Sequence, residues 1–316
     1  MIKVSVLVPI YGTELYIERC ARSLFEQTYD NIEIIFVNDC TKDNAIGVLQ
    51  KIIENYPNRK EQAKIVNHEK NKGLAGARLT GLLHATGDYV WFVDSDDFVE
   101  NNAIEICLPY LQQGVDMITF NYYTESIIGS QKYNEQKITI ENILLNTVSP
   151  SIWKYIVRKD IFYKNNIYPV LGLDYSEDYL LTARLILVCH NVTVLVTKYL
   201  YHYELGNQQS YLHNPTVKSM ENCIDTALMV TEFYKNNNVI DKYHFALSLK
   251  MAFCYFDMLV CDRTNNKLKD ILISIKNTDK LIYYIIRLFP TNCSKLILQM
   301  LKRLLFGRYL QYLSRT

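Results

Sequence analysis

With 316 residues, 49% of them hydrophobic, the chain holds enough apolar material for one large domain or two modest ones. Its 34 Lys and Arg against 33 Asp and Glu leave a net charge of +1, which argues against nucleic acid as a partner. Eight cysteines without a CxxC pair, and a first apolar run too short for an exported leader, predict buried thiols in a reducing cytoplasm.

Taken in order, the first part alternates strand and helix. Residues 3–9 are β-branched and extended, and 14–27 place Leu15, Ile17, Ala21, Leu24 and Phe25 on helical spacing. Residues 33–37 form a second buried strand, and Asp43 stands as N-cap of a helix reaching about residue 56. A third strand covers 63–67, and a helix over 74–85 is opened by Gly73 and stopped by Gly87. A fourth strand spans 89–94, then a helix 102–111 and a strand 115–121. This alternation predicts a mostly parallel sheet flanked by helices, an α/β fold of Rossmann-like character.

Beyond it, 126–137 reads as a polar loop, 153–165 and 177–188 as helices, and 192–203 as β-rich. Asn214 and Pro215 read as an N-cap and first helical residue. Val217, Met220, Ile224, Ala227 and Leu228 then make a helical stripe, and another helix spans 239–260. The expected division is a domain over 1–214, in halves 1–122 and 123–214, and a helical region over 215–316. No stretch approaches the ~18 apolar residues of a membrane span.

The strand ends carry the chemistry. Tyr89 to Val93 is an apolar run that stops at Asp94, Ser95, Asp96 and Asp97. Three carboxylates in four positions repel one another, and a divalent cation accounts for them better than a plain capping turn. The first strand ends in Pro9, Ile10, Tyr11 and Gly12, followed by Glu14. The second ends at Asn38 and Asp39, and the third leads to Asn71, Gly73 and Arg78. In a parallel sheet these loops share one edge. There Asp39 can accept from a nucleobase N–H, Arg78 can face phosphate or base, and the N–H groups near Gly73 favour an anion. Neither GxGxxG nor a P-loop is present. The pattern suits a metal-bound nucleoside diphosphate that departs as a leaving group.

The segments 4–11, 23–29, 33–39, 71–78 and 87–97, in this order, resemble the family 2 glycosyltransferases of GT-A fold. The resemblance is dense over 2–120 and weaker to about 210. It implies a nucleotide-sugar donor, a Mg²⁺ or Mn²⁺ ion and inversion at the anomeric carbon. It implies that the donor is a uridine diphosphate hexose or N-acetylhexosamine. The acceptor would be a saccharide hydroxyl, in cell-surface polysaccharide synthesis. Matched residue by residue, Pro9, Tyr11 and Asp39 hold the base, and Glu14, Asn71 and Arg78 complete the nucleoside pocket. Asp94 faces ribose or metal beside Ser95, and Asp96 is the main metal ligand. Gly12 stands where Asn is common, Cys40 and Thr41 where Gly and Ser are, and Leu79 where Asn is.

By the same match Asp178 is the base that deprotonates the acceptor and Glu177 its neighbour, with Asp174 as the fallback base. An acidic pair opening a helix is otherwise simple dipole compensation. Trp153 and Lys154 resemble an acceptor-side segment, or else a core tryptophan. His202 is a candidate third metal ligand, and Ser210 belongs to a loop that closes on the diphosphate. From residue 280 to 316 there are seven basic residues and no acid, with Ile297, Met300, Leu301, Leu304 and Leu305 on one helical face. That segment is either a solvated face or a surface that rests on anionic lipid at the inner leaflet, which would suit a lipid-linked acceptor. A sugar nucleotidyltransferase and a catalytically idle nucleotide-sugar-binding subunit are the alternatives. The first would release pyrophosphate, and the second would bind nucleotide without turnover.

Overall fold

The structure, a computed structural model, describes residues 1–133, 138–207 and 216–288. The expectations for Ser210, for Asn214 and Pro215, and for the face after residue 288 lie outside the described residues.

The first elements follow the sequence. β1 (Val4–Ile10) is followed by α1 (Ile17–Phe25), β2 (Ile32–Asn38), α2 (Ala45–Asn55), β3 (Ala63–Asn67), α3 (Gly73–His84) and β4 (Tyr89–Phe92). All seven residues of β1 and all four of β4 are buried, as strands covered on both faces must be. β3, β2, β1 and β4 lie side by side, all parallel. Trp91 is fully buried, donates Nε1–H to the Trp153 carbonyl at 2.8 Å and meets Phe120 edge-on. Truncating such a side chain costs roughly 3–5 kcal/mol.

Gly87 does not stop α3, which ends at Ala85 in extended conformation. A Cβ at Gly87 would lie 2.7 Å from Ser5 Oγ and 2.8 Å from the Lys3 carbonyl, so glycine lets the chain pass against β1. Nor is Asp43 the N-cap of α2. Asn44 holds that position, while Asp43 Oδ1 accepts from the Ala45 N–H at 3.2 Å.

β5 (Phe98–Val99), α4 (Ala103–Leu111), β6 (Met117–Glu125) and β7 (Gln131–Tyr133) come next, the last inside the stretch expected to be loop. After the short helix α5 (Ile140–Leu144), the helix expected over 153–165 is instead a 3₁₀ turn (Ile152–Lys154), β8 (Tyr155–Arg158) and α6 (Lys159–Lys164). β8 inserts antiparallel between β4 and β6, so pairing on both sides decides the state of Tyr155, Ile156 and Val157. α7 (Glu177–Val188) and β9 (Val192–Glu204) follow, and β9 runs parallel to β6 and antiparallel to β5. The sheet is therefore parallel in its first half and mixed beyond β4.

Among the described residues after 215 the chain is helical: α8 (Val217–Asn236), α9 (Ile240–Cys261), α10 (Lys267–Thr278) and α11 (Lys280–Arg287). α8 is capped by Thr216, whose Oγ1 accepts from the Ser219 N–H while Ser219 Oγ accepts from the Thr216 N–H. Against expectation, α9 is long and apolar enough by length and composition to cross a membrane. However, 67% of that stretch is buried inside the structure, as in the core helix of a helical unit. All seven described cysteines are free.

Two compact units divide the chain. One comprises Met1–Gln136, Ser151–Asp174 and Leu185–Ser210 and holds the sheet; the other comprises Lys137–Pro150, Tyr175–Arg184 and Tyr211–Thr316.

Candidate active site

Because β1 to β4 are parallel, their carboxyl ends share an edge, and hydrogen bonds knit the loops that leave it. The Gly12 N–H donates to Thr41 Oγ1 at 2.8 Å, and Thr41 in turn donates to Asp43 Oδ1 at 2.6 Å. Thr41 thus supplies the hydroxyl that Ser would. Cys40 beside it has φ +58°, the left-handed region in which glycine is at ease. Glu14 accepts from the Asn44 N–H while its own N–H donates to Asp43. Its carboxylate therefore ties the first loop to the start of α2. Pro9 is buried at the end of β1, and the Tyr11 ring is half exposed at the edge.

Asp39 is the centre of the second and third loops. Its Oδ1 accepts from the Lys72 N–H at 2.7 Å and lies 2.7 Å from His68 Nδ1. Asn71 donates to the Asp39 carbonyl and accepts from the Gly73 N–H, so both ends of its amide hold backbone. Gly73, with φ +76°, begins α3, and Asp174 lies against it: Asp174 Oδ1 accepts from the Ala75 N–H at 3.2 Å. A carboxylate of the chain thus occupies the helix start where an external anion was expected. Burial raises the Asp174 carboxyl, the Ala75 N–H opposes this, and the charge of Asp39 adds to the rise. As a capping group Asp174 is a poor fallback base.

The acidic loop is held from three sides. Arg78 is 1% exposed and pairs with Asp94 Oδ1 at 2.8 Å. Ser95 Oγ is hydrogen-bonded to Thr13 Oγ1 at 3.0 Å. Asn207 donates to Asp96 Oδ2 at 2.7 Å, and Arg19 donates to the Asp96 carbonyl at 3.3 Å. Beneath them the buried Asp97 accepts from the Tyr201 hydroxyl at 2.6 Å and from the Glu204 N–H at 2.8 Å. Asp97 is thus more than a turn cap. Burial, then the charges of Asp96 and Asp94, raise its carboxyl well above the usual range. Burial, then Asp94, push the Asp96 carboxyl up to about 6. Crowded carboxyls of this kind are suited to a cation. An all-oxygen pair, Asp94 and Asp96, fits Mg²⁺ or Mn²⁺ provided that ligand and water oxygens complete the shell. No set of three convergent His, Cys, Asp or Glu groups exists among the described residues.

His202, expected on the metal, is engaged elsewhere. Its Nδ1 lies 2.7 Å from Glu125 and its Nε2 3.0 Å from Glu100, and the ring is stacked between Phe98 and Tyr123. Both ring nitrogens are taken by carboxylates, which leaves neither for a metal. Trp153 is a core residue, stacked on Tyr201 with centroids 4.3 Å apart, and Lys154 beside it is fully buried. In the second unit Glu177, buried, and Asp178, half-buried, open α7 just after Ser176, whose φ is +66°. Tyr201, Asn207 and His68 were not foreseen: their partners lie 12 to 111 residues away in sequence, and no local spacing marks them.

A family model described as Glycosyl transferase family 2 matches residues 5–169. EpsH of Bacillus subtilis (strain 168) is 30% identical over 257 residues, which is 76% of this chain and 71% of EpsH. The minor teichoic acid biosynthesis protein GgaB of the same organism is 31% identical over 138 residues, 42% of this chain but only 15% of GgaB. Among solved structures, S. aureus TarS 1-349 in complex with UDP-GlcNAc superposes with a TM-score of 0.63 at 19% identity, over 90% of this chain and 91% of that one. That likeness bears on the fold, which is the GT-A arrangement of sheet and flanking helices. With the family match covering more than half of its length, the chain belongs to glycosyl transferase family 2 and is a glycosyltransferase.

Proposed function

We propose that the enzyme moves a sugar from a uridine diphosphate hexose or N-acetylhexosamine to a hydroxyl of a saccharide acceptor, with inversion. The observation that carries this reading is the convergence of Asp39, Arg78, Asp94 and Asp96 on one sheet edge. The TarS structure with UDP-GlcNAc supports the donor class, and the kinship with GgaB supports a place in cell-surface polysaccharide synthesis. The free cysteines accord with a reducing cytoplasm.

Asp39 accepts a hydrogen bond from the base, and the exposed Tyr11 ring offers a face against it. Pro9, Glu14 and Asn71 shape that pocket through the loops they tie together. Asp94, steadied by Arg78, and Asp96, steadied by Asn207, would hold Mg²⁺ or Mn²⁺. When bound, the ion supplies positive charge against the departing nucleoside diphosphate. Asp178 takes the proton of the acceptor hydroxyl, and Glu177 orients it. The acceptor oxygen forms a bond to the anomeric carbon as the bond to the diphosphate breaks on the opposite face. Residues 1–214 form the transferase domain and 215–316 a helical region whose basic end, 280–316, rests peripherally on the inner membrane face beside a lipid-linked acceptor.

The test is a panel of nucleotide sugars with Mn²⁺ or Mg²⁺, scored for nucleoside diphosphate release with and without saccharide acceptors. Asp96→Ala and Asp178→Asn should abolish transfer while circular dichroism shows intact folding. Full activity of either variant would remove that residue from its role.

A further inference from the structure

His68 stands one residue beyond β3. Its backbone is latched: its N–H donates to the Asn38 carbonyl at 3.0 Å, and its own carbonyl accepts from Cys40 Sγ at 3.1 Å. Its side chain is 3% exposed, as is that of Asp39, and Nδ1 lies 2.7 Å from Asp39 Oδ1. An ionised carboxylate only accepts, so Nδ1 carries the proton. The other nitrogen, Nε2, lies 2.8 Å from Thr80 Oγ1 on α3 and, in the neutral ring, accepts from that hydroxyl. A directed chain results: Thr80 O–H to His68 Nε2, and His68 Nδ1–H to Asp39 Oδ1.

The chain has a consequence for the carboxylate. Oδ1 of Asp39 takes two hydrogen bonds, from His68 and from the Lys72 N–H, whereas Oδ2 takes none among the described residues. The carboxylate is thereby fixed in rotation with a single oxygen left to accept. We infer that His68, with Thr80 behind it, is a positioning residue that sets base specificity by presenting Asp39 Oδ2 to a ring N–H. This inference rests on the reading of Asp39 as the acceptor for the donor's base. Uracil carries that donor at N3. Cytosine presents a lone pair there, which would face the carboxylate oxygen. A buried histidine with two satisfied nitrogens would add to stability in any case, but a purely structural histidine would not alter the preference between two pyrimidines.

The experiment measures the affinities of UDP and CDP for the full chain in Mg²⁺ by calorimetry, together with donor KM and kcat. His68→Leu removes the hydrogen bond to Oδ1. UDP affinity should fall about 10-fold and CDP affinity less than about 2-fold, the size expected for a hydrogen bond to a charged group. The CDP-to-UDP Kd ratio should therefore collapse, and donor KM should rise more than kcat falls. His68→Gln, which can donate to Asp39 and accept from Thr80, should restore part of the ratio. Should His68→Leu not fold, Thr80→Val gives the same readout, with the ratio falling about 3-fold. Asp39→Ala separates the two ideas. If it leaves UDP and CDP binding unchanged, the base-site reading fails and this inference with it. If it weakens UDP while His68→Leu or Thr80→Val keeps the wild-type ratio, the inference alone is overturned.

Discussion

The hydroxyl of Tyr201 donates to Asp97 at 2.6 Å and accepts the Asp94 N–H at 3.1 Å. One phenol on β9 thus fixes both ends of the loop that carries Asp96. Tyr201→Phe keeps the stacking on Trp153 but leaves the buried Asp97 carboxyl and the part-buried Asp94 amide each without this partner. The cost should be about 1–3 kcal/mol, read from urea unfolding, with a fall in turnover from a loosened acidic loop. An unchanged unfolding midpoint would mean that water replaces the hydroxyl.

Arg78 reaches from the buried face of α3 to Asp94, with 1% of the arginine exposed. Arg78→Met removes a buried cation and strands the carboxylate. A loss of roughly 3–5 kcal/mol is expected from breaking such a pair on one side. Arg78→Lys should recover part of it, since a point charge lacks the planar fork. Chemical denaturation of the two variants checks the order wild type, Lys, Met. Met as stable as wild type would show that Asp94 needs no arginine.

The parallel half of the fold was legible because each of its strands is a short apolar run closed by polar residues, with a helix of 3.6-residue period between. β8 was not. Tyr155, Ile156 and Val157 follow a tryptophan and precede a true helix, and only β4 and β6 on either side make them a strand. The site shows the same boundary. Asp39, Asp94 and Asp96 announced themselves as charges at strand ends, and Arg78 as a charge in the helix that follows the third strand. What holds them did not: Asn207 meets Asp96 across 111 residues, and Tyr201 meets Asp97 across 104. His202 looked like a spare ligand because nothing in its neighbourhood reveals Glu100 and Glu125 as its partners.

Glu33 gives a pH prediction remote from the chemistry. Burial works against its charge, but hydrogen bonds from Ser5, Lys3 and Thr86 outweigh it and bring the carboxyl down to about 2 from 4.5. A depressed carboxyl contributes stability that is fully present above the unfolded value and is lost as pH falls through the folded one. The contribution should therefore hold above about pH 4.5 and fade toward pH 2, with an upper size of roughly 2–3 kcal/mol after screening. Urea unfolding of wild type and Glu33→Gln should differ by that amount at pH 6 and converge as the pH nears 2. A gap that stays constant over this range would show that packing, not charge, holds Glu33 in place.

Gly73 and Asp174 separate a structural carboxylate from a catalytic one. A Cβ at Gly73 would lie 2.3 Å from both Asp174 carboxylate oxygens, on a backbone with φ +76°. Gly73→Ala must displace the cap and strain the backbone together, at a cost of about 2–3 kcal/mol. Asp174→Ala should lose only the cap, about 1 kcal/mol, because the Ala75 N–H loses its side-chain acceptor while the backbone stays unstrained. If capping is what Asp174 does, turnover of Asp174→Ala should stay within about tenfold of wild type, while Asp178→Asn loses transfer at unchanged stability. Initial rates of nucleoside diphosphate release with saturating acceptor, set beside thermal melts of the same samples, distinguish the two. Abolished transfer in a fully stable Asp174→Ala would assign the proton transfer to Asp174 and leave Asp178 as an ordinary helix-opening acid.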